Sequence, residues 1–468
     1  MSSNPVEGTE NLGQLRQTAP QQTNAADPSS LNSSNSAAVE SMDSEGVYLF
    51  ADRTQSSNSL TPEQAFVHMV KAMLGTGLLS LPYAFSHSGL YLGLILLVLI
   101  CLVCMFCMRQ IVFAAHYICT KNGREIIDYA NIMRGAVEAG PSWISSRGYF
   151  FKQLVNVKMF VAQLGFCCVY QVFMSENIAD FFNKNTAIRL STGVWMLLLL
   201  PPLLFLCSIR RLKLLAPFSL AANLVYLSAV VIVAHFFLTR PQNTEPHEEL
   251  TKFGSIGNLP MFFGIVMFAF EGVSLVMPIE NRMQRPQFFI AWNGVLNSSC
   301  LFVLAIFAFM GFYGYLSIGN AVSETVTLNL PAEPFYECLK LMFVFCVLIS
   351  YPVQFFVPME RVEKFITRKC APEKQTKFIY TARFSMVILT CAIAELIPHL
   401  ALFISLVGSI ACTSLALLFP PMIDLLVCYA QHKLTLSVYL RNSFIFGFAL
   451  IGFITGTYSA LLQIFEQF

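Results

Sequence analysis

Residues 67–85 read VHMVKAMLGTGLLSLPYAF. The run is apolar enough to enter a bilayer. Yet Gly75-Thr76-Gly77 sits near its middle, Pro82 follows five residues on, and His68 and Lys71 lie in its first half. Glycine and proline weaken a helical ladder, and ionisable groups are costly in lipid. A segment that only spans a membrane would carry none of them, whereas one that unwinds to hold a polar solute needs most of them.

The rest of the chain has the same character. Of 468 residues 56% are hydrophobic and only 12% are charged, against about 25% charged in a soluble domain. This is the composition of an all-α polytopic membrane protein whose first partner is the lipid bilayer. The net charge of +2, with no long basic run, gives no footprint for nucleic acid. There is no HExxH, P-loop or GxSxG, no pair of aspartates at membrane depth, and the seven His are scattered. Enzyme chemistry, a metal site and a bound cofactor are therefore not expected. The fourteen Cys lie mostly within apolar runs, Cys101, Cys104 and Cys107 recurring every three residues, and read as small packing residues.

Residues 1 to about 60 are rich in Ser, Asn, Gln and Thr and read as a disordered cytosolic tail. The transmembrane domain occupies 61–468. It opens on Thr61-Pro62-Glu63, a cap, a first-turn proline and an acid that together predict a helix start. Eleven spans are expected near 65–86, 88–114, 150–175, 192–208, 214–238, 259–279, 288–317, 335–358, 378–397, 400–420 and 442–464. The ninth and tenth are divided only around Pro398-His399. One set of connecting loops holds seventeen Lys and Arg, the other only Lys184, Arg189, Arg240 and Lys252. That asymmetry predicts a cytosolic N-terminus. With eleven spans the C-terminus is extracellular or lumenal, and the acidic Glu245, Glu248 and Glu249 fall on the outer side.

Spans one and six share a pattern. Gly77 is followed by Pro82, and Glu271-Gly272 by Pro278. Five spans apart and crossing in opposite directions, they fit a five-plus-five inverted repeat with both first helices broken around a solute. At Gly75-Thr76-Gly77-Leu78 unwinding would free backbone N–H groups for a carboxylate; close packing through small residues is the other reading. At Phe268-Ala269-Phe270-Glu271-Gly272 free carbonyls would accept from an ammonium group, with Phe268 and Phe270 bounding a small pocket. Glu271 needs a partner or a proton, and Lys71 is the candidate for an ion pair across the two breaks. His68, seven residues before Gly75, is either a proton site felt at the break or an interfacial histidine bonded to a carbonyl. Gln163 and Tyr170, also seven apart, share a helix face, and Tyr170 either meets a substrate carboxylate or joins helices.

These motifs resemble the proton-coupled amino acid transporters of the amino acid/auxin permease group. The resemblance is carried by His68-Met-Val-Lys71 running into Gly75-Thr76-Gly77-Leu78-Leu79 and Leu81-Pro82. It continues in QLGFCCVYQVF at 163–173, FFGIVMFAFEG at 262–272, PIEN at 278–281, TLNLP at 327–331 and FISLVGSIACTSLALLFPP at 403–421. It covers roughly residues 60 to 464. It implies eleven helices in the LeuT-like inverted-repeat fold, with symport of protons and small neutral amino acids by alternating access and no need for sodium. It puts proton coupling on His68, and substrate contacts on the backbone around Gly75–Leu78 and Phe268–Gly272. It also implies a plasma, endosomal or lysosomal membrane, and, for some members, nutrient sensing. The long tail fits the latter, as a contact for a signalling partner. Vertebrate members carry two outer-loop cysteines, one of them directly after the LNLP motif. Here residues 177–191 contain no Cys and Ala332-Glu333 follows Pro331, so that disulfide is not expected, and the chain reads as an invertebrate-type or divergent member.

Overall fold

The computed structural model describes residues 59–210, 212–239, 250–397 and 399–466, the side chains of 212–216 apart. Most of the polar tail, with Arg211, Arg240, Glu245, Glu248, Glu249 and Pro398, lies outside these residues. Among the described residues all regular structure is helical, apart from one isolated bridge between Leu60 and Met283.

The first segment is broken into three helices, α1 (Pro62–Met73), α2 (Thr76–Leu79) and α3 (Leu81–Ser88). The start expected at Thr61 is a reciprocal cap: the Gln64 amide donates to Thr61 Oγ1 at 3.4 Å, and Gln64 Oε1 accepts from the Thr61 N–H at 3.1 Å. α1 stops at Leu74, and Gly75 is extended (φ −138°, ψ −164°). Pro82 then falls in the first turn of α3, where a missing N–H costs nothing. Next come α4 (Leu90–Asn122), α5 (Tyr129–Ala139), α6 (Gly148–Asn185), α7 (Thr192–Cys207) and α8 (Leu212–Thr239). The sixth segment is α9 (Leu259–Ala269) and α10 (Val273–Glu280), parted at Phe270–Gly272, where the Glu271-Gly272 pair predicted a break. After it follow α11 (Val295–Ile318), α12 (Pro334–Lys369) and α13 (Pro372–Leu396). The tenth segment runs through α14 (Leu400–Val407), two π-helical turns (Gly408–Cys412, Ser414–Leu418) and α15 (Phe419–Ala430). The last helix is α16 (Leu436–Phe465).

Nine segments among the described residues are long and apolar enough to cross a membrane. The other two expected spans take different forms. α7 is a 16-residue apolar helix containing Pro201 and Pro202, and the first segment is in pieces. Length and composition alone thus establish nine of the eleven. Several helices overrun their expected ends. α4 is 33 residues long and α6 38, roughly 50 Å or more against a hydrocarbon core of ~30 Å. α5 was not expected from hydropathy. Its Asp128 cap accepts from the Asn131 N–H at 2.9 Å, and it buries Ile132, Met133, Ala136 and Val137 against α6 and α15.

The two broken segments are stitched together at both ends. Before α1, the Leu60 N–H donates to Arg282 O at 2.7 Å, and the Gln284 N–H returns to Leu60 O at 3.1 Å. After α3, the Leu90 and Tyr91 N–H groups donate to Thr251 O (3.0 Å) and Lys252 O (3.1 Å), and Gly254 N–H donates to Ser88 O at 2.7 Å. Each broken segment thus meets the other where it starts and where it ends, as an inverted repeat requires. Cys338, the cysteine nearest the LNLP motif, is a free thiol.

Candidate functional site

The breaks touch at small residues. A Cβ on Gly77 would lie 2.8 Å from Ala269 Cα and 3.1 Å from the Phe268 ring, so only glycine permits this approach of α2 to α9. On the far side of α9, Gly264 lies against Gly408, Ser405 and Ser409, where any side chain would collide with backbone. Gly75 differs: a Cβ there would meet nothing within 4 Å. That is the open side of the first break.

Polar groups at the breaks are buried and short of partners. At the first break Thr76 Oγ1 and Ser80 Oγ have no hydrogen-bond partner; elsewhere Ser405 Oγ and Ser409 Oγ, against Gly264 of α9, and Gln163 Oε1 of α6 also have none. α2 is a single turn, so its first N–H groups have no helical acceptor behind them. No backbone bond outside the helical ladders starts at Gly75, Thr76 or Gly77. The Gly75 carbonyl is held, by the Leu78 N–H at 3.1 Å and by the Tyr226 hydroxyl at 2.8 Å. Unmatched buried polar atoms cost roughly 1–3 kcal/mol each, which is tolerable where a ligand satisfies them.

At the second break Phe268 is edge-on to Phe166 (centroids 5.0 Å) and Phe270 packs on Phe307 (4.9 Å). Both rings are thus packed against aromatic side chains of neighbouring helices. Glu271 is 7% exposed. Its Oε1 accepts from the Ser274 N–H at 3.4 Å in the first turn of α10, the Cys412 thiol lies beside it, and Oε2 has no partner. Tyr129 from α5 reaches the same region, its hydroxyl donating to Leu415 O at 2.6 Å in the π-helical stretch.

The ion pair expected between Lys71 and Glu271 is not formed. α1 buries Ala65, Met69 and Met73, spaced four apart, and Met73 packs against Gly272. His68 and Lys71, three apart, share the opposite, exposed face. Glu271 instead sits just before α10, its Oε1 accepting from the Ser274 N–H. Of the seven residues from His68 to Gly75, only those to Met73 are helical, so the two do not lie on one helix. Lys71 and Arg282 are the charges nearest His68.

Three groups escaped the sequence reading. Tyr226 follows Asn223 by one turn in the fifth segment, a polar pair that hydropathy passes over. Ser405 and Ser409 lie one turn apart within the quoted 403–421 motif. His116 and Glu280, far apart in sequence, meet at 2.9 Å between α4 and the end of α10, 2% and 0% exposed. Among the described residues no three His, Cys, Asp or Glu side chains are grouped to hold a metal.

The chain matches the transmembrane amino acid transporter protein family over residues 58–463. It is 31% identical over 368 residues to the proton-coupled amino acid transporter-like protein pathetic of Drosophila melanogaster, covering 78% of this chain and 77% of that one. It is 24% identical over 449 residues to the probable amino acid transporter skat-1 of Caenorhabditis elegans, covering 92% and 96%. Among solved structures it resembles MhsT in complex with L-phenylalanine, with a TM-score of 0.51 and 14% identity, over 88% of this chain and 100% of that one. That likeness concerns the fold, which is the LeuT-like one.

Proposed function

The chain belongs to the transmembrane amino acid transporter family, and from that premise we propose that it is a proton-coupled symporter of small neutral amino acids. The observation that carries this reading is the facing pair of broken segments, with the unpartnered Thr76 hydroxyl at the first break. Within the Gly75–Leu78 break the substrate carboxylate takes the freed N–H groups of Gly75, Thr76 and Gly77, with Tyr170 beside it. The ammonium takes the carbonyls of Phe268–Glu271, with Glu271 Oε2 as counter-charge. The close approach of Gly77 to Ala269 and Phe268 keeps the two breaks near one another, which supports cargo with small side chains such as glycine, alanine or proline. His68, on the exposed face of α1, takes up the coupled proton from solution, and the loaded protein turns inward by alternating access. The basic loops support a cytosolic N-terminus in a plasma, endosomal or lysosomal membrane.

The test is uptake of labelled glycine, alanine and proline by expressing cells at about pH 5.5 and about pH 7.5, either side of the ordinary histidine pKa. Uptake should be several-fold higher at the acid setting, and His68→Ala should flatten that response. Equal uptake at both settings would remove proton coupling. A pH response that survives His68→Ala would remove His68 alone. The polar tail favours one other reading, a membrane amino-acid sensor with little flux. Deleting residues 1–55 separates the two: a symporter keeps its uptake, whereas a sensor loses partner binding.

A further inference from the structure

Gly75 and Thr76 share one peptide plane. A trans peptide points its C=O and its N–H in opposite directions, so whatever fixes the Gly75 carbonyl also aims the Thr76 N–H. The Tyr226 hydroxyl, reaching across from α8, fixes that carbonyl at 2.8 Å. The ring that carries it is fixed too. Tyr226 meets Phe343 of α12 edge-on, centroids 5.5 Å apart, and Tyr170 of α6 lies alongside. Residues of α12 and α6 therefore back the one tyrosine that α8 sends to this peptide group, at a glycine whose Cα otherwise faces open space.

We infer that Tyr226 is a positioning residue for substrate recognition: its hydroxyl anchors the Gly75 carbonyl and so directs the Thr76 N–H at the substrate carboxylate. Without the anchor the peptide can rotate, since α2 is one turn long and the Leu78 N–H is the carbonyl's only other donor. Tyr226 touches no substrate in this scheme. Its effect is confined to the carboxylate end of the ligand, which distinguishes it from a residue that merely holds α8 against α12. The inference rests on the proposed site, and its failure is distinguishable from failure of that reading.

The experiment compares alanine with alaninamide, which keeps the ammonium and lacks the carboxylate. In Tyr226→Phe the KM for alanine should rise about tenfold, the loss of one oriented hydrogen bond to a charged group. Maximal uptake and inhibition by alaninamide should stay within about twofold, the scatter of a difference not involving that bond. Equal weakening of both ligands would mean that Tyr226 is structural, and an unchanged KM for alanine would overturn the anchor. Phe343→Leu loosens the ring while keeping the hydroxyl, and serves if Tyr226→Phe fails to reach the membrane. It should give a smaller rise for alanine with alaninamide again unchanged, and equal weakening there also overturns the inference. If the wild-type protein takes up none of glycine, alanine and proline, the site reading falls and this inference falls with it.

Discussion

The breaks and the charged clamps of this protein are both buried and both polar, yet they are built in opposite ways. At the clamps each charge meets an opposite one. Lys340, fully buried, lies 2.5 Å from Asp180 and 3.1 Å from Glu337, joining α12 to α6. Arg383 bonds Glu363 through two nitrogens (2.8 and 2.6 Å) and Cys207 O through the third (2.6 Å), joining α13 to α12 and α7. At the first break, the Thr76 and Ser80 hydroxyls stand buried without partners, as do those of Ser405 and Ser409 against Gly264 of α9. A buried group that is fully matched fixes helices relative to one another. One left unmatched keeps a bond in reserve for something absent. What separates the two regions is paired charge, which the clamps have, although a single unmatched atom occurs at a clamp as well, Glu337 Oε2.

Substitutions at the two places should therefore fail in different ways. The largest effect is expected from Lys340→Met, which strands the buried carboxylate of Glu337 and removes the closer of two cations from Asp180. It should cost about 3–5 kcal/mol, read as a lowered Tm of the purified protein together with lost surface expression. An unchanged Tm would show that the clamp is not a frame. Thr76→Val removes an unmatched hydroxyl at nearly constant volume. Stability should hold or rise by roughly 1 kcal/mol while amino acid uptake falls several-fold. A fall in stability without loss of uptake would move Thr76 into the frame. The smallest effect tests the ion pair that did not form: a double-mutant cycle of Lys71→Ala and Glu271→Gln on Tm should give a coupling below about 0.5 kcal/mol. A larger coupling would bring the two side chains back together.

Much of the frame was readable because its signals are local. Hydropathy located the long helices, and the glycine, proline and glutamate positions located both breaks. Thr61-Pro62 located the first cap. α5 was missed because only one of its faces is apolar, so no long hydrophobic run announces it. The extra turns of α4 and α6 were missed because helices continue beyond the apolar stretch that a bilayer demands. At the proposed site, the interruption at Gly75 was readable from its glycines and Pro82. Tyr226, Ser405, Ser409 and the His116–Glu280 pair were not, since each has its meaning from a segment remote in the chain. The pairing of Lys71 with Glu271 failed on helix phase: the buried face of α1 belongs to Ala65, Met69 and Met73.

The sequence by itself determined that this chain is a bundle of membrane helices with two interrupted segments five spans apart. Those properties follow from apolar length and from residues that cannot sustain a helical ladder. Only the tertiary structure decided which polar atoms are matched and which are left open. Hydrogen bonding at the breaks depends on the rotational phase of α1, on one tyrosine arriving from α8, and on a glycine contact between α9 and the π-helical stretch. Distances of a few ångströms between remote segments set all three, and no local pattern records them.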